Sequence, residues 1–140
     1  MARCVWVAAL VVLALAGCKP RGYSGPQRYP LQGKVTFDGQ PVDWGSISFL
    51  PKAGSEQRVS GGLIENGSYS VKEEEGANAG LHRIEVRWLK RTGKQYRDRD
   101  SGEMVDERKE ALPPKFHAQS TLTAEVSAEK TTFDFDLMSK

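Results

Sequence analysis

The sequence predicts an all-β domain, a seven-stranded antiparallel sandwich of two stacked sheets, on three observations. Seven short runs alternate apolar and polar residues with the period of a half-buried strand. Asp38-Gly39 and Asn66-Gly67 stand where two-residue hairpin turns need residues that tolerate positive φ. No long helical pattern interrupts these runs over residues 31–138.

The elements follow in chain order. Leu31, Gly33, Val35 and Phe37 share one face of the first strand, and Gln32, Lys34, Thr36 and Asp38 take the other. Asp38-Gly39-Gln40-Pro41 supplies turn chemistry. Ile47 and Phe49 alternate with Ser46 and Ser48 until Pro51, where a backbone donor is lost and a loop to Gln57 begins. Val59 to Ile64 is a weaker strand because of Gly61-Gly62, and Glu65-Asn66-Gly67 turns it into the strand of Tyr69 and Val71. After Glu73 to Gly80, His82, Ile84, Val86 and Trp88 face one way while Arg83, Glu85 and Arg87 face the other, the longest clean alternation. Residues 90–112 read as a charged loop, with a short helix expected over Glu103 to Ala111, where Met104, Arg108 and Ala111 lie on one side. Leu122, Ala124 and Val126 define the sixth strand and Phe133, Phe135 and Leu137 the seventh, with Ala128-Glu129-Lys130 as the tight turn between them.

Composition bounds the setting. The chain has 140 residues, 39% of them hydrophobic, and a formal net charge of +2 from 20 basic and 18 acidic side chains. That is the length of one domain, and so balanced a charge gives no electrostatic footprint for nucleic acid. Ahead of the strands, Met1-Ala2-Arg3 places a positive charge before an apolar run from Val5 to Leu15, followed by Ala16, Gly17 and Cys18. A charged start, a short apolar run and small residues at its exit form an export signal, whereas a spanning helix needs about 20 apolar residues.

Leu15-Ala16-Gly17-Cys18 resembles the lipobox of bacterial lipoproteins. The resemblance implies cleavage between Gly17 and Cys18, a diacylglycerol thioether on Cys18, and attachment of the chain to a membrane through that lipid. Residues 1–17 are then the signal peptide. The only other cysteine, Cys4, leaves with it, so no thiol remains for disulfides, catalysis or metal binding. Two or three acyl chains anchor firmly, since each buried methylene contributes ~0.8 kcal/mol. Lys19 to Pro30, rich in Pro and Gly, reads as a flexible tether, so residues 18–30 form the lipidated cysteine and its spacer. By resemblance to enteric lipoproteins, Lys19 in place of Asp favours the outer membrane. The expected location is the bacterial cell envelope, lipid-anchored, on the periplasmic or outer-membrane side.

The order of motifs over residues 31–138 resembles the transthyretin-like sandwich of the carboxypeptidase regulatory domain superfamily. The matching segments are Gly33-Lys34-Val35-Thr36-Phe37-Asp38-Gly39-Gln40-Pro41-Val42, Ile47-Ser48-Phe49-Leu50-Pro51, Glu65-Asn66-Gly67-Ser68-Tyr69-Ser70-Val71 and Ala79-Gly80-Leu81-His82-Arg83-Ile84-Glu85-Val86. In the last, Ala79 stands where the family has proline and Leu81 where it has an aromatic residue. Leu112-Pro113-Pro114-Lys115-Phe116 and Thr132-Phe133-Asp134-Phe135-Asp136-Leu137 are also similar to this group. Such folds host unrelated roles, so the resemblance implies fold and setting.

Chemistry is sparsely encoded. No zinc-protease, nucleophile-elbow or phosphate-loop pattern occurs, and the two histidines, His82 and His117, read as an edge residue of a strand's apolar face and a loop residue. The chain ends Leu137-Met138-Ser139-Lys140, without the terminal Tyr-Arg-Gly-Ser of transthyretin's hydrolase relative. No catalytic residue, metal site or cofactor is expected. Asp98, Asp100, Gly102 and Glu103 lack the spacing of a calcium loop. Lys90, Arg91 and Lys94 open a basic block that is followed by an acidic one, a segregation suited to anionic headgroups or a protein partner. Trp44 and Tyr96 are the candidate sugar-stacking aromatics. The expectation is a non-catalytic lipoprotein presenting its sandwich for protein interaction or envelope architecture; the alternative is a carbohydrate-binding module with a glycan as ligand.

Overall fold

The computed structural model describes residues 24–140. Gly17, Cys18 and the expected cleavage site lie outside the described residues. Eleven strands and two single-turn 3-10 helices form the body: β1 (Arg28–Tyr29), β2 (Leu31–Phe37), β3 (Gln40–Pro41), β4 (Trp44–Pro51), β5 (Ser60–Glu65), β6 (Ser68–Val71), η1 (Glu73–Glu75), β7 (Ala77–Asn78), β8 (Gly80–Arg97), β9 (Met104–Glu110), η2 (Pro114–Phe116), β10 (Thr123–Val126) and β11 (Phe135–Leu137). The fold is all-β and sandwich-like, with more strands than the expected seven. Three of the additional ones, β1, β3 and β7, are two residues long, too short to leave a periodic signal.

The main sheet runs β10-β8-β4-β5-β6-β2-β11, with β3 added to β2 and β9 to β8. β5 and β6 pair only beside their turn, Ile64 with Tyr69 and Glu65 with Ser68. The path folds at that point and lays β6 and β2 over the inner face of β4 and β8. Phe37 meets Trp88 edge-on at 6.0 Å, and Phe49 lies 6.1 Å from Tyr69 and 6.0 Å from Phe133. Between the layers the alternation is obeyed: Leu31, Val35, Ile47, Phe49, Ile64, Tyr69, Val71, Ile84, Val86, Trp88, Ala124, Val126, Phe133 and Leu137 are all buried. Burial of these faces is the main favourable term of the fold.

The two hairpin turns form as their residues require. Asp38 and Gly39 have φ of 48° and 78°, and Asn66 and Gly67 have 51° and 77°, closing two-residue loops between β2 and β3 and between β5 and β6. The expected hairpin between the last two strands does not form. Ser127 and Lys130 exchange backbone hydrogen bonds as a tight turn, but the chain then crosses to the other layer. There Phe133 N donates to Gln32 O at 2.9 Å and β11 pairs parallel with β2, so the sheet is not wholly antiparallel. Tyr69 reinforces this crossing: its buried hydroxyl donates to Phe133 O at 2.8 Å. Burial, with the Asp134 charge nearby, raises the pKa of that hydroxyl.

Two expectations are corrected. The segment expected as a flexible tether, Lys19 to Pro30, includes strand residues, because Arg28 and Tyr29 pair with Asn78 and Ala77. The buried Asn78 side chain also donates to Pro26 O at 2.7 Å and Gln27 O at 3.0 Å. Residues 90–112 are not a loop, and residues 103–111 are not a helix. β8 continues unbroken to Arg97 and turns through residues 98–103 into β9, which pairs back along it. A nine-residue helix with few apolar side chains is marginal in isolation, whereas pairing with β8 satisfies the same backbone groups.

Candidate interaction surface on the β-arm

β8 changes character along its length. From Gly80 to Trp88 buried and exposed residues alternate; from Lys90 to Arg97 every residue is exposed. β4 begins at Trp44, beside Leu89, so beyond that point β8 has only β9 for a neighbour among the described residues. The result is a two-stranded arm that projects from the sandwich by roughly 20 Å, at ~3.3 Å per residue. Its charge blocks face one another across the ribbon. Arg91 Nε lies 3.1 Å from Asp106 Oδ2, Gln95 donates to Asp106 Oδ1 at 3.0 Å, and Thr92 Oγ1 donates to Glu107. The tip is closed by Asp98, whose carboxylate accepts from the backbone N–H groups of Asp100 and Ser101 and from the Ser101 hydroxyl. Those bonds, the Ser101 N–H first, hold the Asp98 pKa below its ordinary value, and they give this carboxylate a turn-forming task.

At the root of the arm lies a cleft of about 410 Å³ lined by Asp43, Trp44, Glu65, Asn66, Arg91 and Arg108. Trp44 stands on the outer face of β4, opposite in parity to buried Gly45 and Ile47. Arg108 lies over its ring, 5.1 Å from guanidinium carbon to centroid, and donates to Leu89 O at 3.1 Å, where β4 ends and leaves that carbonyl without a strand partner. Asp43 accepts the hydrogen bond of Trp88 Nε1. That bond first, and the Arg108 charge further down, hold the Asp43 carboxyl below the usual carboxylate range. Two guanidiniums and two carboxylates therefore share the cleft, a balance suited to a polar partner surface carrying both signs.

The sequence-predicted residues separate in the structure. Trp44 and Arg91 meet in the cleft. Lys90 lies on the opposite face, its ammonium 3.8 Å from the centroid of Trp88, where it caps the end of the core. Lys94 and Tyr96 stand further out along the arm, Tyr96 exposed and paired with Val105. Among the described residues no ring contact joins Trp44 to Tyr96. His82 is not at a sheet edge: it sits between β4 and β10, fully buried, with Nδ1 3.0 Å from Gly80 O. His117 Nε2 lies 3.2 Å from Leu112 O. Asp43, Glu65, Asn66 and Arg108 were not singled out by sequence reasoning; the opposite-sign blocks flanking Asp98-Arg99-Asp100-Ser101-Gly102 were the available signal of a hairpin.

Among the described residues, no group of three or more His, Cys, Asp or Glu is placed to hold a metal ion, and no helix is long and apolar enough to cross a membrane. Comparison with models of known families, with curated proteins and with solved structures finds no match to this chain.

Proposed function

We propose that this chain is a lipid-anchored protein of a bacterial cell envelope, in which a transthyretin-like, carboxypeptidase regulatory-like sandwich holds the β-arm out for protein recognition without catalysing a reaction. The polarity of β8 carries the reading. The tether enters through β1, which pairs with Asn78 two residues before β8 begins, and the arm tip follows the last residue of that same strand. Eighteen residues separate the two ends along one strand, up to about 55 Å at ~3.3 Å per step. The described chain thus enters the domain at the end of β8 opposite the arm tip. That arrangement favours a protein partner over the anionic headgroups as the target of Lys90, Arg91 and Lys94.

The test has two parts. Mass spectrometry of the processed chain is expected to find a lipid-modified Cys18 as first residue, and Cys18→Ala is expected to release the chain from the membrane fraction. Cross-linking in the native envelope is expected to capture a partner with the full arm and to lose it when Lys90 to Glu110 is replaced by a short turn. An unmodified Cys18, or equal capture by both forms, overturns the reading.

A further inference from the structure

We infer that the root of the arm binds an acidic segment of a protein partner, held by two pairs of cations that the ribbon sets directly side by side. This partner chemistry rests on the proposal that the arm is a recognition element.

Two consecutive rungs of the ribbon each set cation against cation: Lys90 pairs with Lys109, and Arg91 with Arg108. Directly opposite residues share a face, with Cβ atoms ~4.5 to 5.5 Å apart, and like charges there destabilise a strand pair. Lys90 lies over the Trp88 ring, so the lysine pair is on the core side of the ribbon, whereas the two arginines line the cleft with Trp44 on the other side. The acids of the stalk are engaged elsewhere. Asp106 pairs with Arg91, Glu107 accepts from Thr92, and Glu110 accepts from the backbone N–H groups of Trp88 and Leu112. In the cleft, Asp43 accepts from Trp88 Nε1. Among the described residues Lys90, Lys109 and Arg108 form no salt bridge. The free arm therefore carries a repulsion that its own sequence does not relieve, and such a departure from local consistency is expected at functional positions.

Carboxylates from a partner supply the missing counter-charge. Arg108 is stacked on Trp44 and bonded to Leu89 O, which fixes its guanidinium at the cleft wall and lowers the ordering cost of a further bond. A guanidinium so held favours a carboxylate, which it can meet with two parallel hydrogen bonds. The lysine and arginine pairs face opposite ways, so a flexible acidic chain can pass around the ribbon and reach both, whereas a flat layer of anionic headgroups meets one. The tip agrees with this. Residues 98–103 hold Asp98, Asp100 and Glu103 against Arg99 alone, so the part of the arm that projects furthest repels an anionic bilayer.

One substitution moves stability and binding in opposite directions. Anisotropy titration of the full chain with a labelled polyglutamate peptide is expected to show binding that weakens with added salt, and a polylysine peptide is expected to show none. Lys109→Glu turns the lysine rung into a pair of opposite charges. It is expected to weaken polyglutamate binding on the order of tenfold, and to slow amide exchange along residues 90–97 a few-fold because the free ribbon loses a repulsion. No polyglutamate binding by the wild-type chain, equal binding by both chains, or faster exchange in the variant overturns the inference. Binding to phosphatidylglycerol vesicles without binding to polyglutamate assigns the cations to headgroups and overturns it as well. The arm's role is read separately. Unchanged cross-linking in the envelope after excision of Lys90 to Glu110 overturns the recognition element itself, whereas loss of cross-linking together with no polyglutamate binding overturns only the acidic partner.

Discussion

Tyr69→Phe tests how the two layers are locked. The substitution keeps the ring that packs on Phe49 and removes the hydroxyl, which is buried with its residue at 4% exposure and donates to Phe133 O at 2.8 Å. It leaves the carbonyl short of a donor at the point where the chain crosses between layers. A lost buried hydrogen bond costs about 1 kcal/mol, and an orphaned buried partner brings the total to about 1 to 3 kcal/mol. For a body near 100 residues this lowers Tm by on the order of 5 to 15 °C. Urea unfolding should show a lower midpoint at unchanged slope. There is also a pH signature. The hydroxyl's pKa is raised by burial above its ordinary 10.0, so its contribution is complete below pH 10 and is lost as pH rises toward the folded value. The variant should lack that alkaline loss. A midpoint equal to wild type, or an identical alkaline profile, would refute the lock.

Gly33→Ala acts on the same crossing, because a Cβ there would sit 1.9 Å from Phe133 O and 2.7 Å from its carbonyl carbon. Backbone must move, and thermal unfolding should show a loss at least as large as that of Tyr69→Phe. Asp43→Asn should matter fully above the ordinary carboxylate pKa and progressively less as the pH falls below it. Asp43 titrates below 3.8 in the fold, so its contribution is present above that pH and disappears as pH falls through the lowered value. The urea midpoints of wild type and variant should converge as the pH is lowered below 3.8. Trp44→Ala removes the ring beneath Arg108, a contact of ~0.5 to 1 kcal/mol, and amide exchange at the arm's root should quicken a few-fold while the core is unchanged. Asn78→Ala frees the Pro26 and Gln27 carbonyls, and trypsin should cut after Arg28 faster than in wild type.

The inner faces were legible because burial imposes a period of two on every strand between the layers. Leu31 and Val35, Ile47 and Phe49, and Ile84 and Val86 are apolar in step and all are buried. Turn chemistry was equally readable at Asp38-Gly39 and Asn66-Gly67, where positive φ restricts the residue type. The arm was not. Its strands bury no apolar face, so Lys90 to Arg97 carry no alternation, and Glu103 to Ala111 is rich in good helix formers. The partner that decides its conformation is β8, about 15 residues away in sequence, a non-local pairing that local pattern does not encode. Trp44 and Arg91 were found by residue type; Arg108 was not, because its place over Trp44 depends on the register of β9.

The direction in which the arm points is set by residues far from it. Asn78 ties Pro26 and Gln27 to the strand that precedes β8, and Trp88, with its neighbours Asp43 and Lys90, closes the core where β8 leaves the sandwich. Between these points β8 is held by β10 and β4. Arg28 and Tyr29 on one side and the arm's root on the other thus lie at opposite ends of the part of β8 that is built into the sandwich. Beyond the root the ribbon keeps only its own pairing, so its stiffness comes from cross-strand contacts such as Arg91 with Asp106 and Thr92 with Glu107. These exposed contacts stabilise weakly, ~0.2 to 1 kcal/mol each, and weaken with salt.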